Sequence, residues 1–130
     1  MENYKKNIVD PKYVFEKLND ENFKVIDCTV YFELKKVGAS TIYSGYEDYL
    51  KRHIPGSAYL HMVDDLSEED NPIPFSIISQ EKLNEKLCSI GINNGDEIIL
   101  YGSGFHMAIT RAWWVLAMSG ANNIKIMNGG

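Results

Sequence analysis

The segment Glu97–Tyr101 constrains the fold most, because Ile98, Ile99 and Leu100 form an uninterrupted apolar run within it. A strand that is apolar on both faces is typical of a parallel sheet covered by helices on both sides. A Gly-Ser-Gly loop follows at 102–104, and an apolar helix is predicted over 108–118. A strand, a tight loop and a helix in this order are the repeating unit of an α/β fold.

Strand and helix signals alternate along the rest of the chain. Short apolar strands are predicted over 23–28, 58–60 and 124–127. Helices are predicted after Asp10 and Ser79, because both residue types cap helix N-termini and Pro11 suits the first helical turn. Spacings of three to four residues assign the buried helix faces to Val14, Phe15 and Leu18 and to Leu83, Leu87 and Ile90. The alternation predicts one α/β domain with a mostly parallel sheet.

Charge and hydropathy exclude several classes of function. The 130 residues carry 13 basic and 18 acidic side chains, a net charge of −5. Binding to nucleic acid depends on clustered lysine and arginine that neutralise phosphates, so nucleic acid is not an expected partner. The longest apolar run, 112–118, is far shorter than the roughly 20 residues that span a bilayer. Because no secretory signal is visible either, a cytoplasmic protein without membrane contact is predicted.

The loop after the central strand is the first candidate for chemistry. The N–H groups of a glycine loop at a helix start can cradle an anion. The candidate anion loop comprises Gly102, Ser103, Gly104, Phe105 and His106. A tight turn that requires glycine is the alternative interpretation. A serine-hydrolase elbow is disfavoured, because Tyr101 stands where that motif needs glycine.

The cysteines and histidines suggest little further chemistry. Cys28 ends a predicted strand and would be a reactive thiol only if its pKa were lowered, so a partly buried structural role is favoured. Cys88 and the pair Trp113 and Trp114 are predicted to be core residues. The histidines have no metal-ligand spacing, and neither a metal nor a cofactor is predicted. His53 is assigned a structural role.

Several of these residues together resemble a known family. The segment 49–60, Tyr-x-x-x-His-Ile-Pro-Gly-Ser-x-x-Leu, is similar to the first signature of rhodanese-like domains, with Ser57 in place of alanine. Val-Ile-Asp at 25–27, Arg-Ala-Trp-Trp at 111–114 and Asn-Gly-Gly at 128–130 resemble other parts of the same domain. Over essentially the whole chain, the combination resembles the non-catalytic N-terminal domain of tandem thiosulfate or 3-mercaptopyruvate sulfurtransferases.

The resemblance implies a fold and a role. The fold would have three layers, with a five-stranded, mostly parallel sheet flanked by helices and without the family's final covering helix. Catalytic members begin the loop with a persulfide-forming cysteine and also carry an arginine in it. These two positions fall here on Gly102 and Met107. The resemblance therefore implies that residues 1–130 are one non-catalytic domain, the N-terminal part of a longer two-domain protein. Its partner would be a second, catalytic rhodanese domain, and the full protein would take small sulfur-donor anions.

Two alternatives to this role stay open. One is a stand-alone module that binds an anion or a protein without transferase activity. The other is an enzyme that uses Cys28 as an unusual sulfur acceptor. Two contacts are also predicted: a buried structural ion pair between Asp27 and Arg111, and contributions to the cleft of a second domain from Tyr31, Phe105 and His106.

Overall fold

The computed structural model describes residues 7–62, 64–68, 72, 76–104 and 106–129. In chain order these residues form β1 (Ile8–Val9), α1 (Pro11–Lys17), β2 (Phe23–Asp27), β3 (Val30–Glu33), β4 (Thr41–Ser44), α2 (Tyr46–Lys51), β5 (Ala58–Tyr59), α3 (Gln80–Ser89), β6 (Glu97–Tyr101), α4 (Met107–Met118) and β7 (Ile124–Met127). None of the helices in these ranges is long and apolar enough to cross a membrane.

Five of the strands form one parallel sheet, in the order β1-β7-β6-β2-β5. The apolar run of the central strand β6 divides between the two faces of this sheet. Ile98 and Leu100 pack in the larger apolar cluster, to which α3 and α4 contribute, whereas Ile99 packs with Val14 of α1. Helices therefore cover both faces, and the predicted three-layer α/β fold is confirmed.

A hairpin and a short helix fill the stretch between β2 and β5, where the sequence patterns predict no regular structure. β3 and β4 pair antiparallel, from Val30 opposite Ser44 to Glu33 opposite Thr41. Val30 is buried, but the other residues of β3 are exposed. The apolar pattern by which a buried strand is recognised is therefore missing from this hairpin.

Three predictions about buried side chains are wrong. In α1, Val14 is fully buried, but Phe15 is 63% exposed. Successive helical residues lie about 100° apart, so Phe15 leaves the face that Val14 occupies. Cys88 in α3 is exposed, one position after the packed Leu87. Trp114 in α4 is likewise 58% exposed.

The two predicted helix starts differ in their capping. The Lys82 N–H donates to the Ser79 hydroxyl at 3.3 Å, which confirms the predicted cap of α3. Asp10 holds the N-cap position of α1, but its carboxylate makes no bond to the helix. The start of α1 is therefore where the sequence predicts it, with Pro11 as its first residue and without the expected side-chain cap.

A charged cluster ties α1 to the amino-terminal parts of β6 and β7; we call Tyr13, Lys17, Glu97 and Lys125 the amino-edge cluster. The Glu97 carboxylate accepts hydrogen bonds from the Tyr13 hydroxyl at 2.6 Å, from the Lys17 ammonium at 2.5 Å and from the Lys125 ammonium. Burial by itself would raise the pKa of Glu97, but the hydrogen bonds from these three partners lower it to about 2. Glu97 is therefore ionised at neutral pH although its side chain is only 8% exposed.

Candidate functional site

The carboxyl-terminal ends of β2 and β6 bring the candidate loop against the chain that follows β2. Asp27 and Tyr101 are paired in the sheet, and the Cys28 N–H donates to the Tyr101 carbonyl at 2.8 Å. Parallel strands end at the same edge of a sheet, which is where open α/β folds place their ligands. We call Asp27, Thr29 and the loop residues Gly102, Ser103 and Gly104 the carboxyl-edge network.

Two glycines of this loop lie close to the backbone of 28–30, and Gly104 is the more tightly constrained of the two. A Cβ atom at Gly102 would lie 3.0 Å from the Thr29 backbone nitrogen and 3.2 Å from the Cys28 carbonyl carbon. Gly104 has a φ of +78°, and a Cβ there would lie 2.4 Å from the Val30 carbonyl oxygen. Any side chain at either position, including that of a cysteine, would press on the backbone of 28–30.

One side-chain hydroxyl joins the loop to the end of β2. The Ser103 N–H donates to Thr29 Oγ1 at 3.1 Å. The Thr29 hydroxyl in turn donates to Asp27 Oδ1 at 2.6 Å, and the same carboxylate oxygen accepts from the Thr29 N–H at 2.9 Å. One of the amide groups proposed to cradle an anion is therefore already bonded within the chain.

The remaining residues of the candidate loop are placed as follows. Gly102 is buried, and Ser103, Gly104 and His106 are exposed. His106 holds the N-cap position of α4 without a side-chain cap. Met107, at the family's arginine position, is 66% exposed. Phe105 lies outside the described residues, and anion binding by the loop stays a hypothesis.

Tyr31 of β3 reaches this loop from the hairpin. Its hydroxyl donates to Asp48 Oδ2 at 2.5 Å, and a Cβ at Gly104 would lie 3.0 Å from its ring. The hydrogen bond to Asp48 raises the pKa of Tyr31. Tyr31 is thus a neutral hydroxyl at neutral pH, which can donate a hydrogen bond but carries no charge.

Cys28 has the properties of a structural residue. Its side chain is 1% exposed. Burial, and next the negative charge of Asp27, raise the pKa of the Cys28 thiol above its ordinary value. The nucleophile in sulfur transfer is a thiolate that the substrate can reach. A buried, protonated thiol is neither ionised nor accessible. The placement of Cys28 therefore disfavours the hypothesis that it is a sulfur acceptor.

The predicted ion pair between Asp27 and Arg111 is also wrong. Asp27 is bonded to Thr29, whereas Arg111 Nη2 donates to the Ser67 hydroxyl at 3.2 Å. Burial lowers the pKa of Arg111. The two side chains start on neighbouring elements but are directed to different partners, which the spacing in the sequence does not indicate.

His53 packs within a cluster of aromatic rings. Its ring stacks on Tyr49 with the centroids 4.1 Å apart, and its Nδ1 lies 2.5 Å from the Tyr49 carbonyl oxygen. The Tyr49 hydroxyl donates to the Ser57 carbonyl at 2.5 Å. Residues of the 49–60 signature therefore bond to one another, and the structural role of His53 stays a prediction.

A broad apolar groove adjoins the candidate loop. It has a volume of about 800 Å³ and lies between α4, the β3–β4 hairpin and the segment that precedes α3. Its lining includes Phe32, Ile42, Ile77, Met107, Trp114 and Met118. Of these, Met107, Trp114 and Met118 are each more than half exposed. The sequence does not indicate this groove, because the apolar residues of α4 are interpreted as core when the elements that pack against the helix are unknown.

Comparison with known proteins gives one family. The model of the rhodanese-like domain matches residues 10–130. The 3-mercaptopyruvate sulfurtransferase of Escherichia coli is 30% identical over 84 residues, covering 65% of this chain and 30% of the relative. A putative thiosulfate sulfurtransferase of Caenorhabditis elegans is 27% identical over 139 residues, covering 95% and 49%.

Solved structures agree with these relatives. The crystal structure of SseA from Escherichia coli, described as a 3-mercaptopyruvate sulfotransferase with a rhodanese fold, superimposes with a TM-score of 0.78 at 25% identity. The match covers 95% of this chain and 45% of that one. The chain thus spans less than half the length of each of these relatives.

Proposed function

The chain belongs to the family of rhodanese-like domains, and we propose that it is the non-catalytic domain of a sulfurtransferase, where it supports a second, catalytic domain. The donor of the full protein would be thiosulfate or 3-mercaptopyruvate, the anions named for its relatives. The cytoplasmic location stays a prediction.

The observation that carries this proposal is the occupant of the nucleophile position. Covalent sulfur transfer requires a thiolate at the start of the loop. Gly102 stands there, and a Cβ at this position would lie 3.0 Å from the Thr29 backbone nitrogen. Cys28, the nearest cysteine in the fold, ends at the same edge of the sheet but is buried and protonated. We therefore expect this domain alone to be inactive in sulfur transfer.

The apolar groove supports the second half of the proposal. Met107, Trp114 and Met118 of α4 expose large apolar surfaces in this groove, and Met107 directly follows the candidate loop. Exposed apolar patches of this kind mark interaction sites. We assign this groove to the second rhodanese-like domain of a longer polypeptide, because the chain corresponds to at most 49% of the length of the relatives compared above.

The proposal is tested by measuring thiocyanate release from thiosulfate and cyanide by this chain, with 3-mercaptopyruvate as a second donor. We expect no release above the rate without protein. Cys28→Ala and Cys88→Ala are matched controls, since the first removes a buried thiol and the second an exposed one. Release by the wild type that one of these variants abolishes would locate a nucleophile within the chain and contradict the proposal.

The dependence on a partner is tested by the reading frame itself. We expect the coding sequence beyond position 130 to continue into a second rhodanese-like domain that carries the loop cysteine. A coding sequence without such a domain would overturn the supporting role and leave a stand-alone binding module.

A further inference from the structure

We infer that the Thr29 hydroxyl is a built-in ligand of the loop 102–104, and that it closes this loop to anions. The inference goes beyond the proposed function, which concerns the missing nucleophile. It concerns the donors and the space that an anion would need, and it would hold whether or not a second domain exists.

The hydroxyl group of Thr29 is already engaged in hydrogen bonds on both its donor and its acceptor side. A hydroxyl group has one proton to donate and two lone pairs that accept. The Thr29 proton is committed to Asp27 Oδ1 at 2.6 Å, so the oxygen is left to act as an acceptor towards the Ser103 N–H at 3.1 Å. Asp27 thereby fixes the direction in which Thr29 presents its lone pairs. An anion at this amide would have to displace a bond whose geometry is already set.

The space beside the loop is restricted by the neighbouring chain. The loop lies so close to 28–30 that Cβ atoms at Gly102 and Gly104 would approach backbone atoms at 3.0 and 2.4 Å. Gly104 also forms a parallel bridge with Val30. An anion cradle needs amide groups that face an open volume. Here the chain at 28–30 lies against the loop on the side to which Cβ atoms at Gly102 and Gly104 would point.

The carboxylates near the loop also disfavour a bound anion. Two carboxylates bond into this region, Asp27 through Thr29 and Asp48 through Tyr31. A second negative charge within a few ångströms of a carboxylate is disfavoured, the more so where water is excluded. Displacing the neutral Thr29 hydroxyl by sulfate or thiosulfate would therefore replace a favourable contact by a repulsive one.

The test is amide hydrogen exchange and anion titration followed by NMR on the 130-residue chain. Thr29→Val keeps the shape of the side chain and removes the hydroxyl, and Thr29→Ser keeps the hydroxyl. We expect the Ser103 amide to exchange roughly ten-fold faster in Thr29→Val, as the loss of one hydrogen bond implies. In Thr29→Ser the rate should stay within about two-fold of the wild type, because the acceptor remains.

The titration uses thiosulfate, with sulfate and phosphate as further probes. We expect no saturable shift of the Ser103 amide in the wild type or in Thr29→Ser. A saturable shift in either, or unchanged exchange in a folded Thr29→Val, would overturn the inference. Should Thr29→Val fail to fold, the wild type and Thr29→Ser still decide through the titration. Failure of the proposed function appears separately, as thiocyanate release.

Discussion

The two edges of the sheet are held together by different chemistry. At the amino edge, one buried carboxylate, Glu97, is balanced by two ammonium groups and a phenol. At the carboxyl edge, Thr29 joins the loop to β2 through its neutral hydroxyl, and glycines allow the backbones to touch. Both sets of contacts connect segments distant in sequence, but only the first relies on opposite charges.

This difference bears on how a shifted pKa is interpreted in this domain. Strongly shifted pKa values often mark catalytic sites, although structural ion pairs produce them as well. Here the pKa of Glu97 is lowered to about 2, and Glu97 lies at the edge opposite the family's loop. The electrostatic cluster is therefore part of the stability of the fold, whereas the loop edge has the packing of a closed structural turn.

Glu97→Gln should disrupt the amino-edge cluster and have the largest effect on the free energy of unfolding. The substitution keeps the shape of the side chain but leaves Lys17 and Lys125 without their counter-charge. Breaking one side of a buried ion pair costs roughly 3–5 kcal/mol, which a urea titration would detect in the free energy of unfolding. Glu16→Gln, whose pair with Lys12 is exposed, is the matched control and should change little.

The pH dependence of stability provides a second readout of Glu97. Its pKa is about 2 in the folded state against an ordinary value of 4.5. A group whose pKa is lower in the folded than in the unfolded state stabilises the protein at pH values above its unfolded-state pKa. This contribution is lost as the pH falls through the folded-state pKa. The difference in stability between the wild type and Glu97→Gln should therefore be constant above pH 4.5 and shrink between 4.5 and about 2. A difference that stayed constant throughout this range would show that the charge of Glu97 is not what stabilises the amino edge.

Gly104→Ala should break the carboxyl edge, with an intermediate effect. Gly56 is its matched control, because both glycines have a φ of +78° and only Gly104 has backbone within 4 Å of the added Cβ. The left-handed conformation costs roughly 1–2 kcal/mol in both variants. Overpacking against Val30 should add about 1–3 kcal/mol to the loss in Gly104→Ala. Equal losses of stability in Gly104→Ala and Gly56→Ala, measured by thermal unfolding, would contradict the close approach of the loop to Val30.

Met107→Gln should have the smallest effect and sharpen the comparison. Met107 begins α4 beside the loop and is 66% exposed, so the isolated domain should change by about 0.5 kcal/mol or less. Leu116→Ala in the same helix removes a fully buried side chain and should cost about 2–5 kcal/mol. A large loss in Met107→Gln would mean that the groove is part of the core rather than a surface free to bind a partner.

The sequence predicts those parts of the fold that are built from apolar periodicity. The run 98–100 places β6 at the centre of the sheet, and Ser79 marks the start of α3 correctly. The β3–β4 hairpin and α2 could not be predicted, because the hairpin is mostly exposed and α2 buries no residue. Phe15, Cys88 and Trp114 show the limit of the same rule: being apolar and helical does not decide which side of a helix faces the core.

The candidate site was less predictable than the fold. The family pattern identifies Gly102 and Met107 as the positions that carry chemistry in catalytic members. The partner of the loop, Thr29, has no signal in sequence, because it stands 74 residues away from Ser103. Asp27 and Arg111 likewise end on neighbouring elements, but only the folded structure reveals that Asp27 turns to Thr29 and Arg111 to Ser67.

The tight contact between Gly102 and the chain at 28–30 has a consequence for evolution. A cysteine codon at position 102 would place a Cβ 3.0 Å from the Thr29 nitrogen and 3.2 Å from the Cys28 carbonyl carbon, so the segment after β2 would have to move by a few tenths of an ångström to admit it. Substitutions that allow the segment after β2 to move would therefore make a cysteine at this loop easier to accommodate, so position 102 and the residues at 28–30 constrain one another.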